Sequence, residues 1–341
     1  MSGPKINSYY VDRPEDSILA RARNRLTRRP VPLFPRTIQI QTFTGCNADC
    51  IFCPYGETYE TQPKGKMPIE MFRGIIDEAS AHGVRRISPY LMNEPLMDRD
   101  LCDKIRYINA KVPDCKVVVT SNGHFLTPPV VDQLLDLGGG LHELYVSFQG
   151  IDRDAYTRTM RGNMDFDRTL ANVDHFLETQ RRRGLDRPKL WITMVDTALI
   201  DARKAVAYWR SRGVASKYTT LENRGGNIAS AGAFSKTQSM SYYTSCTRLF
   251  KQAYIMFNGD MVLCCVDYAR KQVLGNIRDS SVSEVWNGSI AREIRRRYLS
   301  QEFERLPLCG ACKIDEVREV SVDLDGRETI SEAEDVGEEA N

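Results

Sequence analysis

The chain has 341 residues, 42% hydrophobic and 27% charged, a composition typical of a globular protein with a large core. Its 47 lysine and arginine residues against 45 aspartate and glutamate residues give a net charge of +2, which predicts neither a nucleic-acid partner nor a membrane-surface protein. No apolar run approaches the roughly 20 residues of a membrane span, and the N-terminus lacks the apolar segment of a signal peptide. We therefore expect a cytoplasmic protein with reduced cysteines.

Strand and helix patterns alternate from residue 37 to residue 222. Residues 1–36 are polar and arginine-rich, so we expect a solvated N-terminal arm there. Segments rich in β-branched residues predict strands over 37–43, 84–91, 116–121, 143–149, 189–195 and 216–222. Helical apolar spacing predicts helices over 68–83, 98–112, 128–140, 165–184 and 201–213. This alternation predicts a parallel sheet, and six units rather than eight indicate a partial (β/α)6 TIM-type barrel over 37–223.

The pattern changes after residue 223. Strand-like pieces and short helices replace the regular alternation, and we expect a second, smaller domain over 224–315. Residues 316–341 end in the acidic stretch SEAEDVGEEAN, which lacks large apolar side chains. This composition predicts a disordered tail.

Three cysteines follow the first predicted strand in the stretch TGCNADCIFC. Cys46, Cys50 and Cys53 have the spacing C-x3-C-x2-C and lie at the C-terminal end of the strand, where parallel α/β folds carry their chemistry. A structural zinc ion would need a fourth, distant ligand. A four-iron cluster can be held by three cysteines, which leaves one iron open to bind substrate or cofactor atoms. The spacing favours an iron–sulfur cluster over zinc and leaves both open.

This spacing, with Phe52 directly before the third cysteine, resembles the radical S-adenosylmethionine superfamily. The resemblance implies a four-iron cluster on Cys46, Cys50 and Cys53 whose open iron binds S-adenosylmethionine. It implies that one electron cleaves this cofactor to a 5′-deoxyadenosyl radical, which then abstracts a hydrogen atom from the substrate. It also implies an electron donor, such as flavodoxin or ferredoxin, as a partner.

Four short polar motifs are similar to cofactor-contact motifs of this family. They are MNEP (92–95), TSNG (120–123), VSFQG (146–150) and MRG (160–162), and Met-Asn stands where the family usually has Gly-Gly. Each motif alone is equally typical of an ordinary strand-end turn, but their shared order indicates one site. The resemblance assigns cofactor contacts to Phe52, Asn93, Glu94, Ser121, Asn122, Ser147, Gln149 and Arg161.

Four further cysteines form a second set. Cys246 and Cys264 follow the pattern C-x12-G-x4-C, and Cys309 and Cys312 form a C-x2-C pair. Thiolates at these spacings suit zinc or an iron–sulfur cluster alike. The pattern resembles the twitch domain, a short form of the SPASM auxiliary-cluster domain. The resemblance implies one auxiliary four-iron cluster with four cysteine ligands and no open iron, suited to electron transfer.

Four other residues are candidates for substrate chemistry. Cys265 adjoins a cysteine of the second set, and it is either a hydrogen donor to a substrate radical or a small buried hydrophobic residue; the second interpretation is slightly favoured. Glu222 and Arg224 follow the sixth predicted strand, where they could hold substrate hydroxyls or a carboxylate, or could be solvated charges in a glycine-rich turn. Asp267 is a further substrate candidate.

The resemblance implies an enzyme that acts on a small sugar-like, aminocyclitol or sugar-nucleoside substrate in antibiotic biosynthesis. The outcome would be dehydrogenation, dehydration, decarboxylation or epimerisation. A peptide maturase is the alternative, but such enzymes usually carry an N-terminal leader-binding domain, and residues 1–36 are too short for one. A binding module with two zinc ions is a third hypothesis, which the ordered cofactor motifs argue against.

Overall fold

The computed structural model describes residues 29–244 and 246–315, together with the short strands Tyr9–Tyr10, Glu319–Val322 and Glu328–Ser331. Six strands confirm the predicted alternation: β1 (Thr37–Ile40), β2 (Arg86–Ser88), β3 (Lys116–Ser121), β4 (Glu143–Ser147), β5 (Lys189–Asp196) and β6 (Ala215–Thr220). The later strands of the same sheet are β7 (Gln252–Ile255), β8 (Asp260–Val262), β9 (Val273–Asn276), β10 (Glu319–Val322) and β11 (Glu328–Ser331).

Seven helices of eight residues or more lie in the described part of the chain. They are α1 (Ile69–Ser80), α2 (Leu101–Lys111), α3 (Pro128–Leu135), α4 (Arg153–Met160), α5 (Phe166–Arg182), α6 (Ala202–Ser211) and α7 (Ser289–Leu299). Helix α4 was missed from the sequence because its apolar face is weak; the Asp152 carboxylate caps it by accepting the Ala155 N–H at 2.8 Å. None of the described helices is both long and apolar enough for a bilayer span.

The strands form one continuous sheet in the order β9-β8-β7-β1-β2-β3-β4-β5-β6-β10-β11. Strands β1 to β6 are parallel neighbours in chain order, which is the arrangement of a partial TIM-type barrel. Strand β7 of the second region pairs in parallel with β1, with Gln252 opposite Thr37 and Ile255 opposite Ile40. The second region therefore extends the barrel sheet instead of forming a separate one.

Part of the tail that was predicted to be disordered is ordered. Strand β10 pairs antiparallel with β6, and β11 pairs antiparallel with β10, so that prediction is wrong for these two segments. The acidic composition of the whole tail concealed a local alternation of β-branched residues at Val320, Val322 and Ile330. The remaining residues of the tail and most of the N-terminal arm lie outside the described residues.

The two faces of the barrel strands differ in polarity. One face packs against the helices through Ile38, Ile40, Ile87, Val117, Val119, Leu144, Val146, Leu190, Ile192 and Met194, all buried in the main core. By the two-residue period of a strand, the other face carries Gln39, Arg86, Ser88, Thr120, Glu143, Tyr145, Trp191, Thr193 and Lys217, which we call the inner face. Parallel strands are usually apolar on both faces, so a polar inner face calls for an explanation.

An aromatic cluster fixes the C-terminal end of β4. The Phe148 ring lies 4.7 Å from Tyr156, 5.5 Å from Phe166 and 5.0 Å from Trp209, measured between centroids. Phe148 and Trp209 are fully buried, and the contacts join α4, α5 and α6 to the strand. This packing holds the residues on either side of Phe148 in place.

An ion pair is buried beneath the loop after β2. Lys104 Nζ lies 2.6 Å from Asp98 Oδ2, and both side chains are 1% exposed. Lys66 Nζ, on the segment before α1, lies 3.7 Å from the other oxygen of Asp98. The pair connects α2 to the loop that follows the Glu94 motif.

We expect Lys104→Met to destabilise the protein by about 3 kcal/mol, because it leaves the buried Asp98 carboxylate with the more distant Lys66 as its cation and the Asp100 N–H as a hydrogen-bond donor. The matched control is Arg106→Met on the same helix, since Arg106 pairs with Asp103 at the surface and such pairs contribute about 0–1 kcal/mol. Urea unfolding followed by circular dichroism measures both variants. Equal effects of the two substitutions would contradict this account.

Candidate functional site

The first cysteine loop is held by backbone contacts from two directions. The Glu94 N–H donates to the Gly45 carbonyl at 2.8 Å, which ties the loop to the end of β2. On the other side the Ile51 N–H donates to the Thr159 carbonyl at 3.0 Å, and a Cβ on Gly162 would lie 2.8 Å from the Asp49 nitrogen. Only glycine allows this close approach, which explains the Arg-Gly pair that follows α4.

The thiols of this loop form one electrostatic group. Burial raises the pKa of Cys46 to about 12, and the charges of Glu94 and Cys53 act in the same direction. Burial, followed by the charges of Cys53 and Cys46, also raises the pKa of Cys50. Cys46 and Cys50 therefore need a bound cation to be thiolates at neutral pH.

The donor set fits a polynuclear cluster. Across the ranges that the structure describes, no three histidine, cysteine, aspartate or glutamate side chains converge to hold a single metal ion. An iron–sulfur cluster places each cysteine on a separate iron atom, so its thiolates surround a volume instead of meeting at one point. Three cysteines in one loop supply the donor atoms that such a group needs, and ligation by Cys46, Cys50 and Cys53 stays a prediction.

The Glu94 carboxylate connects the ends of β2 and β3 beside this loop. It is 2% exposed and accepts hydrogen bonds from Ser121 Oγ at 2.7 Å, the Asn122 N–H at 2.7 Å and the Leu96 N–H at 3.0 Å. Burial raises its pKa to about 7, although these hydrogen bonds act in the opposite direction. The carboxyl group is thus poised to change charge near neutral pH.

Two asparagines complete this part of the site. The Asn122 side-chain nitrogen donates to Asn47 Oδ1 at 2.7 Å and lies 4.0 Å from Cys46 Sγ. Asn93 Oδ1 accepts the Leu91 N–H at 2.9 Å, whereas Asn93 Nδ2 is buried and has no hydrogen-bond partner among the described residues. A buried amide donor without a partner is costly, and a bound ligand with an acceptor atom would satisfy it.

Four other predicted cofactor residues have partners within the protein. Arg161 donates from Nε to the Asp49 carbonyl at 3.0 Å and is half-exposed. Gln149 Oε1 accepts the Val195 N–H at 2.9 Å, and Ser147 Oγ lies 3.4 Å from Thr193 Oγ1. Phe52 is buried in an apolar cluster with Val195 and Leu221. Direct contact of these four side chains with a cofactor stays a prediction.

Backbone contacts bring the segments of the second cysteine set together. The Tyr243 N–H donates to the Cys312 carbonyl at 3.0 Å, and the Cys312 N–H donates to the Cys309 carbonyl at 3.2 Å. Burial raises the pKa of Cys309 to about 12, and Cys312 is the largest charge acting on it. The positive charge of Arg248 acts to lower the pKa of both the Cys264 and the Cys312 thiol. One cysteine of each pair therefore lies within electrostatic range of this arginine.

The structure gives the predicted substrate residues different surroundings. Cys265 packs against Leu91 and Tyr254 in a small apolar cluster. The Asp267 carboxylate is fully buried and accepts the N–H groups of Lys271 at 2.8 Å and Gln272 at 2.9 Å, so its burial is explained by the turn that it closes. A substrate contact by Asp267 stays a prediction.

Sequence reasoning missed two residues between the cysteine sets. Tyr268 lies with its hydroxyl 3.3 Å from Cys53 Sγ, and Arg248 forms an ion pair with Glu222 at 2.6 Å. Arg248 follows Cys246 by two positions, and Tyr268 follows Cys265 by three. Neither position belongs to a metal-ligand pattern, so only the fold reveals that they lie beside the cysteines.

Two family models match the chain. The radical SAM superfamily model matches residues 40–195, and the model of the SPASM iron–sulfur cluster-binding domain matches residues 246–313. The first match contains the loop with Cys46, Cys50 and Cys53. The second begins at Cys246 and contains Cys264, Cys309 and Cys312.

Two curated relatives are similar in sequence. The S-adenosyl-L-methionine-dependent 2-deoxy-scyllo-inosamine dehydrogenase of Niallia circulans is 21% identical over 276 residues, which are 81% of this chain and 91% of that protein. The AdoMet-dependent heme synthase of Methanosarcina barkeri (strain Fusaro / DSM 804) is 29% identical over 143 residues, which are 41% of this chain and only 38% of the heme synthase. The second match therefore covers much less than the whole of either protein.

Two solved structures have the same fold. BtrN in complex with AdoMet and 2-DOIA matches with a TM-score of 0.59 and 18% identity over 81% of this chain and 92% of that chain. Streptococcus suis SuiB bound to precursor peptide SuiA matches with a TM-score of 0.62 and 16% identity over 84% of this chain and 74% of that chain. Both cysteine sets fall within the matched models: residues 40–195 carry a radical SAM superfamily domain, and residues 246–313 carry a SPASM iron–sulfur cluster-binding domain.

Proposed function

We propose that this enzyme binds S-adenosylmethionine at the first cysteine loop and abstracts a hydrogen atom from a small hydroxyl-rich or amino-containing substrate. Sugars, aminocyclitols and sugar nucleosides of antibiotic pathways are the substrate class. The observation that carries this proposal is the polar inner face of β1 to β6, which runs toward the ends of the strands where Cys46, Glu94 and Asn122 lie. The similarity to a 2-deoxy-scyllo-inosamine dehydrogenase supports the same class.

Buried hydrogen-bond donors on the inner face indicate that the substrate carries hydrogen-bond acceptors. Arg86 Nε, Ser88 Oγ and Trp191 Nε1 are buried without a hydrogen-bond partner among the described residues. Nearby, the hydroxyls of Tyr90 and Thr120 are 2.6 Å apart. Unpaired buried donors cost free energy, and several of them on one face match a ligand with many oxygen acceptors. A sugar or cyclitol has this chemistry.

The residues around the first loop have separate roles in cofactor binding. When bound, the cluster and S-adenosylmethionine supply the electron and the 5′-deoxyadenosyl radical. The Glu94 carboxylate and the Asn93 carboxamide are the groups available for the amino and carboxylate groups of the methionine moiety. Phe52 and its apolar neighbours exclude water from the side of the loop that faces β5 and β6.

The net reaction depends on the second cysteine set and on Cys265. A cluster ligated by all four of Cys246, Cys264, Cys309 and Cys312 has no open iron to bind substrate, so its role would be electron transfer. Dehydrogenation needs such a role, because an electron must leave the substrate radical. Cys265 would instead serve a redox-neutral reaction as a hydrogen donor. Its packing against Leu91 and Tyr254 is equally that of a small buried hydrophobic residue.

A peptide maturase is the second candidate function. SuiB with its precursor peptide has the same fold as this chain, although 16% identity carries only the fold. The unpaired donors are buried on the inner face, which favours a small substrate that can reach them inside the barrel. A peptide would contact them only if one of its segments entered the barrel.

Reconstituted protein should contain about eight iron atoms per chain, as two four-iron clusters require. With dithionite and S-adenosylmethionine it should form 5′-deoxyadenosine, and Cys46→Ala should abolish this product and halve the iron content. Cys102→Ala is the control, because Cys102 lies on α2 outside both sets. Zinc in place of iron and sulfide would refute the proposal.

Substrate class is tested by supplying 2-deoxy-scyllo-inosamine deuterated at its carbon positions, alongside a panel of sugars and nucleosides. We expect deuterium to appear in 5′-deoxyadenosine with a member of this panel, because the radical takes its hydrogen atom from the substrate. Deuterium transfer only from a labelled peptide would favour the maturase. Mass spectrometry of 5′-deoxyadenosine gives the readout.

Binding of S-adenosylmethionine should strengthen as the pH rises from 6 to about 7.5. Burial holds the pKa of Glu94 at about 7, so the carboxyl group is neutral below that pH and cannot pair with the cofactor's ammonium group. Affinity should fall by up to about tenfold per pH unit below 7.

Glu94→Gln should weaken binding and flatten this dependence, whereas Glu143→Gln, at the other end of the inner face, should preserve it. Calorimetric titrations from pH 6 to 8 measure all three proteins, and an unchanged slope in Glu94→Gln would exclude Glu94 as the titrating group.

Cys265→Ala separates the two outcomes of the reaction. If Cys265 returns a hydrogen atom to the substrate, the variant should still form 5′-deoxyadenosine while the redox-neutral product is lost. If the enzyme oxidises its substrate, product and 5′-deoxyadenosine should both continue to form. Quantifying both compounds in the same reaction distinguishes these results.

A further inference from the structure

A buried carboxylate joins two arginines between the cysteine sets. Glu222 directly follows β6 and is 8% exposed. Its Oε1 lies 2.6 Å from Arg248 Nη2, and its Oε2 lies 3.4 Å from Arg248 Nη1 and 3.3 Å from Arg224 Nη1. Both carboxylate oxygens are therefore engaged by guanidinium groups. We call Glu222, Arg224 and Arg248 the arginine–glutamate triad.

One end of the triad contacts the first cysteine loop. Arg224 Nε donates to the Phe52 carbonyl at 3.4 Å, and Phe52 immediately precedes Cys53. Burial lowers the pKa of Arg224, but Glu222, Tyr268, Cys265 and Cys53 raise it more. The guanidinium group of Arg224 is thus close to the first loop and stays charged.

The other end adjoins the second cysteine set. Arg248 is two positions after Cys246, and Glu222 forms a β-bridge with Ile314, two positions after Cys312. Burial lowers the pKa of Arg248, whereas Glu222 and the thiols of Cys265, Cys264 and Cys246 raise it well above its ordinary value. Arg248 is consequently a cation within electrostatic range of this set.

The charges of the triad do not cancel. Two guanidinium groups share one carboxylate, and a guanidinium group keeps its proton at any physiological pH. The excess positive charge lies on two partly buried arginines beside the buried Glu222, where electrostatic interactions are screened less than in water. A four-iron cluster becomes more negative when it is reduced, and nearby charge is one determinant of its potential. A partly buried cation beside it therefore stabilises the reduced form more than the oxidised form.

We propose that Arg248, held by Glu222, is a positioning residue that raises the reduction potential of an iron–sulfur cluster bound by Cys246, Cys264, Cys309 and Cys312. This inference rests on the proposed assignment of a cluster to the second cysteine set. It gives Glu222 a role as the anchor of a cation and not as a substrate ligand. It also explains why a buried carboxylate lies between two partly buried arginines at the end of β6, since taking these charges out of water costs free energy.

The test is an anaerobic redox titration followed by electron paramagnetic resonance, with reconstituted full-length protein and neither S-adenosylmethionine nor substrate present. Arg248→Gln should lower the midpoint potential of the auxiliary signal. We expect about a tenfold lower ratio of reduced to oxidised cluster at a fixed potential, which is about 59 mV for one electron. Arg248→Lys retains the positive charge, so its midpoint potential should lie close to that of the wild-type protein.

Glu222→Gln should shift the potential in the opposite direction, because it removes a negative charge while the amide oxygen can still accept the hydrogen bond that holds Arg248 in place. Arg270→Gln is the matched control: Arg270 pairs with Asp260 at 2.9 Å in the same region, but no cysteine is among the charges that act on it. The control should leave the potential unchanged. If Arg248→Gln assembles no cluster, the comparison of Arg248→Lys, Glu222→Gln and wild-type protein decides the question.

Each result has one meaning. An unchanged potential in Arg248→Gln, or shifts of the same sign in the Arg248→Gln and Glu222→Gln variants, would overturn the inference while leaving the cluster assignment intact. About four iron atoms per chain in the wild-type protein, with no second paramagnetic signal, would overturn the assignment of the second cysteine set and the inference with it. Shifts of opposite sign in Arg248→Gln and Glu222→Gln, with an unchanged potential in Arg270→Gln, would establish the triad as a determinant of the potential.

Discussion

The pairing of β7 with β1 is the interaction on which the site depends. Four residues of each strand run in parallel, so the second region begins as an extra strand of the barrel sheet. The first cysteine loop follows β1 directly, and Cys264 and Cys265 follow the strands that continue from β7. Backbone hydrogen bonds therefore fix the strand that leads to Cys264 beside the strand that leads to the first cysteine loop. Side chains then occupy the space between them.

Much of the fold could be predicted from the sequence because local patterns carry it. The alternation of apolar runs identified all six barrel strands and five of the helices between them. Helix α4 was missed because its stabilisation comes from the Asp152 cap and from aromatic packing on Phe148, and neither produces a helical apolar stripe. The strands β10 and β11 were missed because β6 offers them an edge to pair with, and an edge is a property of the assembled sheet.

The cysteines of the site could be predicted for a similar reason. Their spacing is local, and motifs such as NEP and SNG recur at successive strand ends. The contacts among these residues could not be predicted, since they depend on which loops meet. Glu94 accepts hydrogen bonds from Ser121 and Asn122, whereas Glu222 forms ion pairs with two arginines that follow it in the chain. Two buried carboxylates thus acquire opposite electrostatic surroundings, one with a raised pKa and one with a lowered pKa.

The contact between Gly162 and the first cysteine loop makes the position of that loop depend on the chain that leaves α4. Asn47 and Asp49 are held against this chain, through the Asn163 N–H to the Asn47 carbonyl at 2.9 Å and the close approach at Gly162. A Cβ at position 162 would lie 2.8 Å from the Asp49 nitrogen and 2.9 Å from the Asn47 carbonyl oxygen. A side chain at this position would therefore displace the backbone between Cys46 and Cys50, so a substitution more than a hundred residues away in the sequence would move two cysteines of the first loop together.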